Sequence, residues 1–537
     1  MLDVCGISKI FPDKKLFSNV NLKFLPGNVY GIIGANGVGK STFLKILSGE
    51  IEASEGQIIK EKNARMSVLS QNQNEYDDYN VTDVVIMGNK ELYELNIEKN
   101  KIYEDPNATD EDYERASNLE AKYGEMGGWS AENDAQTLLS NLGLEPEKWN
   151  MQMSELKANE KVKVLLAKAL FGNPDILIMD EPTNRLDLKT IKWLENFLMD
   201  YPNIVIVVSH DSDFLDAICT HIIDIDYSEA KQFVGNYSFW KLSSQLLIDM
   251  QQKQNLRKEE QAQKLREFIA RFSANASKSK QATSRKKLLE KIVIDEIKPS
   301  SRKYPYINFE LNRMPGKQIL SVENLTYVND AGETLFENVS FVIRPGDKMV
   351  IIGNDDIAKT RLLEILMGRR QPTSGTVNWG ITITPNYFPN NNLEYFKEPE
   401  TIIEWISKWP LNNSTQETKD NSDSRMRAFL GRMLFSNDSV FKNVMVTSGG
   451  EKVRLMMSKL MLEESNFLIF DQPLDHLDSE SIDSLIEAVK SYKSSCIFTT
   501  YNRAMIKECA SVILEIKPKA SFLFYGSLEE YEEAMGY

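Results

Sequence analysis

Two stretches of this chain carry the same succession of apolar runs and polar loops. Residues 29–60 (VYGIIGANGVGKSTFLKILSGEIEASEGQIIK) align with residues 348–379 (KMVIIGNDDIAKTRLLEILMGRRQPTSGTVNW) at an offset of 319 positions. In each, an apolar run predicts a buried strand, a loop follows, and a helix is predicted to begin at the lysine, Lys40 or Lys359. A second pair of apolar runs ends in acidic or amide side chains, at Asp180-Glu181 and at Asp471-Gln472. Short apolar runs that stop at polar residues fit central strands of a parallel sheet, whose carboxyl edge is where ligands bind. The pattern predicts an α/β fold present twice.

The halves differ in length. Lys40 and Asp180 lie 140 positions apart, Lys359 and Asp471 only 112, which leaves the first half 28 residues longer. The extra length is assigned to a polar, acidic arm at about 88–126, with helical periodicity and an Asp105-Pro-Asn107 turn, read as a surface insertion. Between the halves, residues 241–303 are rich in Gln, Lys, Arg and Glu and nearly free of Gly and Pro before Pro299, which predicts a long helix. The mixture of basic and small polar residues from Arg271 to Lys287 reads as the tip of a helical hairpin. The expected domains are 1–240, a linker at 241–303, and 304–537.

Composition changes this picture in one place. At 537 residues the chain is too long for one core. Its net charge of −15 argues against a general nucleic-acid binder. Residues 251–291, however, hold twelve Lys/Arg against four Glu, a local net of +8, so the remainder carries −23. No apolar run reaches the roughly 18 residues that a membrane span needs, and no basic-then-apolar segment opens the chain, so neither a membrane helix nor a secretory signal is expected. The four cysteines (Cys5, Cys219, Cys496, Cys509) are dispersed, without the paired spacing of a zinc or iron–sulfur site, and a reducing cytoplasm is the expected setting.

The first loop, Gly34-Ala-Asn36-Gly37-Val-Gly39-Lys40-Ser41-Thr42, satisfies GxxxxGK[ST] between a strand and a helix, the context that makes the pattern specific. Glycines let backbone N–H groups close around phosphates, and the helix N-terminus adds positive potential. Lys40 is expected to reach the β- and γ-phosphates and Ser41 to offer its hydroxyl to Mg²⁺. Asp180 ends its strand where a magnesium carboxylate is needed, and Glu181 follows where an attacking water would be oriented or deprotonated. The second loop, with Gly353, Lys359 and Thr360, and Asp471 further on, repeats the layout.

The string Asp180-Glu-Pro-Thr-Asn-Arg-Leu-Asp187, followed by Val207-Val-Ser-His210-Asp211, resembles the ATP-binding-cassette superfamily. The resemblance implies that Gln71 contacts Mg²⁺ and the attacking water, that His210 is the switch histidine at the γ-phosphate, and that Phe11 stacks on adenine. In the second half Tyr327 and Asn329 both fit that last position. Ser448, Gly449 and Gly450, within Thr447-Ser-Gly-Gly-Glu451, match the signature motif that caps the γ-phosphate bound by the opposite cassette. Two cassettes around a long basic linker (with Phe268-Ile-Ala-Arg271-Phe and Lys280-Gln-Ala-Thr-Ser-Arg285-Lys286) resemble the ABC-F translational ATPases over essentially the whole chain. That resemblance implies two P-loop NTPase (ABC) domains joined by a helical hairpin, ATP and Mg²⁺ as cofactors, and a cytoplasmic monomer whose cassettes pair internally. It further implies a linker that enters the ribosome toward the P-site tRNA. Arg271, Lys278, Lys280, Arg285, Lys286 and Lys287 are the residues expected to contact rRNA or tRNA, chiefly through phosphates and shape. The resulting expectation is a ribosome-associated ATPase, with antibiotic protection of the ribosome as a variant. A soluble motor of a membrane transporter and a structural pseudo-ATPase are the other classes.

The chain departs from the family pattern in a concerted way. Ala358 replaces the last loop glycine, Gln472 the catalytic glutamate and Tyr501 the switch histidine; Asn386-Tyr-Phe-Pro389-Asn390 lacks the glutamine. The first half reads Leu156-Lys157-Ala-Asn159-Glu160 where the signature is expected. An amide accepts no proton, and Cβ atoms hinder approach of backbone to phosphate. A lone introduced Glu→Gln trap would not account for Tyr501, Pro389 or the altered signature. If the cassettes pair head-to-tail, Lys40, Asp180, Glu181 and His210 face Ser448 and Gly450, while Lys359, Asp471, Gln472 and Tyr501 face Lys157 and Asn159. All departures then fall in one composite site, the expected picture being one hydrolytic site and one that binds nucleotide weakly or statically.

Overall fold

The computed structural model describes residues 1–537 apart from 13, 36, 71, 273–283, 285, 290–301, 410–422, 437 and 537. The two halves build the same sheets. In the first, a six-stranded sheet runs Met66–Val68, Ile176–Asp180, Ile204–Val208, Asn28–Ile33, His221–Asp226, Glu229–Val234, parallel except for the last pair. The second repeats the order with Pro385–Phe388, Phe467–Asp471, Ser495–Thr499, Lys348–Ile352, Val512–Glu515 and Phe522–Tyr525. Each half adds a three-stranded antiparallel sheet, centred on Leu2–Phe11 and on Leu320–Val328. The predicted duplicated α/β fold is therefore present.

The near-continuous apolar strands Ile204–Val208 and Ser495–Thr499 are buried on both faces, as parallel strands covered by helices must be. The helix Lys40–Ser48 sits between the two sheets of its half. It buries Phe43, Leu44, Ile46 and Leu47 against Phe17 and Phe24 on one side and Ile206 and Val208 on the other. Phe17 and Phe43 meet edge to face at 5.5 Å. This packing fixes the end of the phosphate loop, because the same helix carries Lys40 on its first turn.

The acidic arm forms two antiparallel helices, Lys90–Glu104 and Asp110–Glu125. Asn89 and Thr109 cap them, and the Asn107 N–H donates to Asp105 Oδ1 in the predicted turn. The linker begins as one helix, Tyr237–Phe272, of 36 residues and so about 54 Å long. Its expected tip lies outside the described residues, with Lys278, Lys280 and Arg285, as does the side chain of Arg271; Lys286 and Lys287 are described and exposed. Among the described residues no helix is long and apolar enough to cross a membrane.

One helix start corrects the sequence reading. The first loop helix begins at Lys40 as expected, but the second begins at Asp356, three residues before Lys359. Gly37 and Gly39 hold φ of 73° and 110°, a region that Cβ-bearing residues avoid. Their counterparts at the 319-residue offset are Asp356 and Ala358. With no glycine to sustain the left-handed turn, the chain falls into helical conformation one turn early.

Candidate nucleotide sites

The first loop follows the central strand Asn28–Ile33 and curls under Lys40. The ammonium donates to the Gly34 carbonyl at 2.7 Å, so the lysine folds back over the loop mouth. Burial lowers its pKa, opposed by the nearby carboxylates of Glu181, Glu480, Asp180 and Asp478. Ser41 is exposed and Thr42 half-buried on the first helical turn. Asp180 closes the strand Ile176–Asp180 opposite Val208, on the strand that separates it from Asn28–Ile33. A hydroxyl and a carboxylate are hard oxygen donors of the kind Mg²⁺ takes.

Glu181 occupies a left-handed turn at φ 54°. Its Oε2 accepts from the His210 N–H at 3.1 Å, and its Oε1 lies 3.5 Å from His210 Nε2 with no hydrogen bond of its own. Burial raises its pKa to about 8, the strongest mark of a poised acid–base group in this half. Burial likewise lowers His210 to about 4, helped by Lys40, so the imidazole is neutral. A neutral imidazole has one donor and one acceptor nitrogen, and the Ser479 hydroxyl, 2.5 Å from Nδ1 and able to donate or accept, holds the ring in place. Ser479 belongs to the second cassette. Sequence reasoning missed it, because nothing in a serine at a helix start points to a histidine 269 positions away.

Phe11 ends its strand 42% exposed, with the Lys9 ammonium 5.2 Å from the ring centroid. Asn36 and Gln71 lie outside the described residues. In the second half Tyr327 is buried in the core and accepts from Arg370 at 3.0 Å, while Asn329 organises a turn by accepting from Ala331 and Glu333. Neither offers a ring face to a base.

Ser448 caps the helix Gly449–Glu463 in a reciprocal box with Glu451, and Gly449 and Gly450 pack close to His476 of their own cassette. The cavity at the first loop is lined from the second cassette by Ser479, Glu480 and Asp483. Ser448 and Gly450, expected from the motifs to face Lys40, do not line this cavity. At the other site the altered signature meets the second loop at residues the motifs did not name: Lys157 Nζ lies 2.6 Å from Asp355 Oδ2, and Asn159 Nδ2 donates to the Asn354 carbonyl at 2.5 Å.

At that second site Lys359 is 1% exposed and its ammonium meets Asp356 Oδ1 at 2.8 Å. Both Asp471 oxygens are engaged, Oδ2 by the hydroxyls of Thr360 at 2.7 Å and Tyr387 at 3.3 Å, Oδ1 by Thr499 at 2.9 Å. Tyr501 and Gln472 both turn toward Asp356. Asp356 and Tyr387 are the residues here that motif reading passed over. The repeat offset marks Asp356, since it falls on Gly37; no sequence signal marks Tyr387.

A family described as ABC transporter matches residues 17–184 and 336–475, and a companion description of the same name matches 223–309. The chain is 49% identical over 534 residues to the uncharacterized ABC transporter ATP-binding protein YkpA of Bacillus subtilis, covering 99% of this chain and 97% of that one. It is 31% identical to ABC transporter F family member 2 of Arabidopsis thaliana over 95% of this chain and 76% of that one. Among solved structures, the archaeal ribosome recycling factor aABCE1, in complex with the ribosomal stalk protein aP1, superposes with a TM-score of 0.63 at 17% identity, covering 99% of this chain and 92% of that one. That likeness supports the fold of two joined cassettes.

Proposed function

Because this chain belongs to the ABC-F family of ATP-binding-cassette ATPases, we propose that it hydrolyses ATP at the first composite site and couples that cycle to the ribosome through its basic linker. The observation that carries the reading is the cluster in which Lys40 and His210 line one cavity, the His210 N–H donates to Glu181, and Asp180 and Glu181 act electrostatically on Lys40, with Glu181 raised to about 8 and His210 neutral beside it. Lys40 and the loop N–H groups bind the triphosphate, and Phe11 stacks on the base. Ser41 and Asp180, with Gln71, would hold Mg²⁺, which when bound neutralises charge on the phosphate oxygens. In its ionised form Glu181 accepts the proton of the water that attacks the γ-phosphorus; the bond to the ADP oxygen breaks, releasing ADP and phosphate. His210, oriented by Ser479, donates toward the γ-phosphate.

Ser479→Ala is expected to lower kcat by about tenfold with little change in KM, as for an orienting contact that acts in the transition state, whereas Ser479→Thr keeps most activity. Steady-state ATPase kinetics on the two variants check this, and a normal kcat in Ser479→Ala would remove the residue from the mechanism.

Contacts between the cassettes within one chain (Lys157–Asp355, His210–Ser479 and Arg503–Glu195) support a monomer with internal pairing. The linker reading rests on its charge and length: a 36-residue helix leads into a basic segment of which Lys286 and Lys287 are exposed, and such cations suit phosphate contact with rRNA or the P-site tRNA. The setting proposed is the cytoplasm. Co-sedimentation of Glu181→Gln with ribosomes, with and without Mg·ATP, tests the partner. ATP-dependent, salt-sensitive pelleting is the expected result, and ATP-dependent recovery in membranes instead would favour a transporter motor.

A further inference from the structure

The substitutions at the second site touch one another. Asp356 stands where the first loop has Gly37, Gln472 where it has Glu181, and Tyr501 where it has His210. In the fold these three meet at one atom: Asp356 Oδ1 receives the Tyr501 hydroxyl at 2.6 Å, the Lys359 ammonium at 2.8 Å and the Gln472 amide at 3.4 Å. A glutamate at 472 would set a second carboxylate against Asp356, whereas the amide donates a hydrogen bond. A histidine at 501 would lack the phenolic hydroxyl donated to Asp356 and would offer a smaller, poorer cation–π face than the Tyr501 ring, whose centroid lies 4.0 Å from the Lys359 ammonium. The lysine is almost wholly buried, and a buried ammonium requires an anion at hand. In a working loop that anion is a phosphate. Here it is a side chain three residues away.

The backbone is committed in the same way. Asp355 caps the early helix turn by accepting from the Ala358 N–H at 3.1 Å through its side chain, and the Lys359 N–H donates to the Asp355 carbonyl at 3.2 Å. Such N–H groups would otherwise point at phosphate oxygens. The other Asp355 oxygen holds Lys157 of the first cassette, and Asn159 reaches the Asn354 carbonyl. Burial alone would raise the Asp355 carboxyl, but the Lys157 contact and the helix N–H groups hold it below the usual range, so the pair is ionised at neutral pH. The altered signature and the altered loop are therefore two sides of one contact.

We infer that the second phosphate loop takes the chain's own Asp356 carboxylate in place of a nucleotide triphosphate, and that with Lys157, Asn159 and Asp355 it forms a clasp joining the cassettes without ATP. The chain then carries one exchangeable nucleotide, and each cycle opens and closes only the first composite site about this fixed edge. The inference deepens the proposed function and rests on its assignment of the first site as the one that binds ATP.

Native mass spectrometry of the full-length Glu181→Gln protein with Mg·ATP counts the nucleotides directly. One ATP per chain is expected, and none after a further Lys40→Ala change; two per chain, or one retained without Lys40, would overturn the inference. Asp356→Gly, on the same background, is expected to gain a second nucleotide while keeping the first, which also reports that it is folded. A variant that stays at one nucleotide would show that the carboxylate is not what closes the loop. Hydrogen exchange gives an independent reading: the amides of Ala358 and Lys359 should be protected equally with and without ATP, while those of Gly39 and Lys40 gain protection only with it. ATP-dependent protection at both loops would refute the clasp. Turnover is measured separately, so a hydrolytic Glu181→Gln protein would overturn the assignment of the base without altering the nucleotide count.

Discussion

Glu181→Gln is expected to cut ATP turnover by at least about 100-fold, the usual scale for losing a general base, while making the nucleotide-free protein more stable at alkaline pH. The two effects have one cause. Burial raises the Glu181 carboxyl from 4.5 to about 8, with neighbouring Asp180 and Asp211 adding to the rise and the His210 N–H and Lys40 opposing it. The folded protein therefore holds a proton there more tightly than the unfolded chain does. That preference stabilises the fold fully below about pH 4.5 and is lost as pH climbs through about 8, where the buried carboxylate must ionise. Glutamine has the same shape, still accepts from the His210 N–H and never ionises. The variant should match the parent near pH 5 and exceed it by about 1–4 kcal/mol near pH 9, the side chain being 17% exposed and so partly relieved by water. Urea unfolding in EDTA at the two pH values checks this. Equal stability at pH 9 would mean that the carboxylate is solvated, and near-normal turnover would remove Glu181 as the base.

The parts of this molecule legible in the sequence are those with a local signature. Apolar runs located the sheet strands, and the repeat offset established the duplication, because both depend on burial patterns written in consecutive residues. Lys40, Asp180, Glu181 and His210 were named from motifs whose spacing reflects one strand-loop-helix geometry, and the fold sets Glu181 against His210 and both Asp180 and Glu181 within electrostatic reach of Lys40. What escaped were contacts between distant segments. Ser479 touches His210 only because the cassettes pair, and Tyr387 reaches Asp471 only through adjacent strands of the sheet. The start of the second loop helix was misplaced for a different reason. Alignment carried the lysine across but not the φ angles, and without Gly37 and Gly39 the same register folds into a different turn. Ser448 shows a further limit: a motif gives the chemistry a residue can do, while in the fold its hydroxyl accepts from the Glu451 N–H three residues on, capping its own helix.

Arg302→Ala is expected to destabilise the chain by about 3–5 kcal/mol at neutral pH, the range seen when one partner of a buried charge cluster is removed. Arg302 lies where the chain returns from the linker, 16% exposed. Its guanidinium reaches Asp224 at 2.5 Å and Asp226 at 3.8 Å, both on the strand His221–Asp226 of the first cassette, and Glu480 at 3.4 Å on the second. Its plane lies over Trp240, 5.0 Å from the ring centroid, at the foot of the linker helix. One side chain thus ties together both cassettes and the linker's two ends. Burial pushes the Asp224 and Glu480 carboxyls up, and Arg302 is the cation that opposes this at both. Without it they become buried carboxylates short of a counter-charge, so the loss of stability should shrink as pH falls and they take up protons. Arg302→Lys keeps the charge but loses the planar fork and the stacking, and should fall between the two. Glu480 directly follows Ser479, which orients His210, so the alanine variant should also lose turnover beyond its unfolded fraction. Denaturant midpoints at pH 5 and 8, with ATPase rates corrected for folded protein, decide the matter. A loss below about 1 kcal/mol would class the cluster with ordinary surface ion pairs and leave the linker's anchorage to be sought elsewhere.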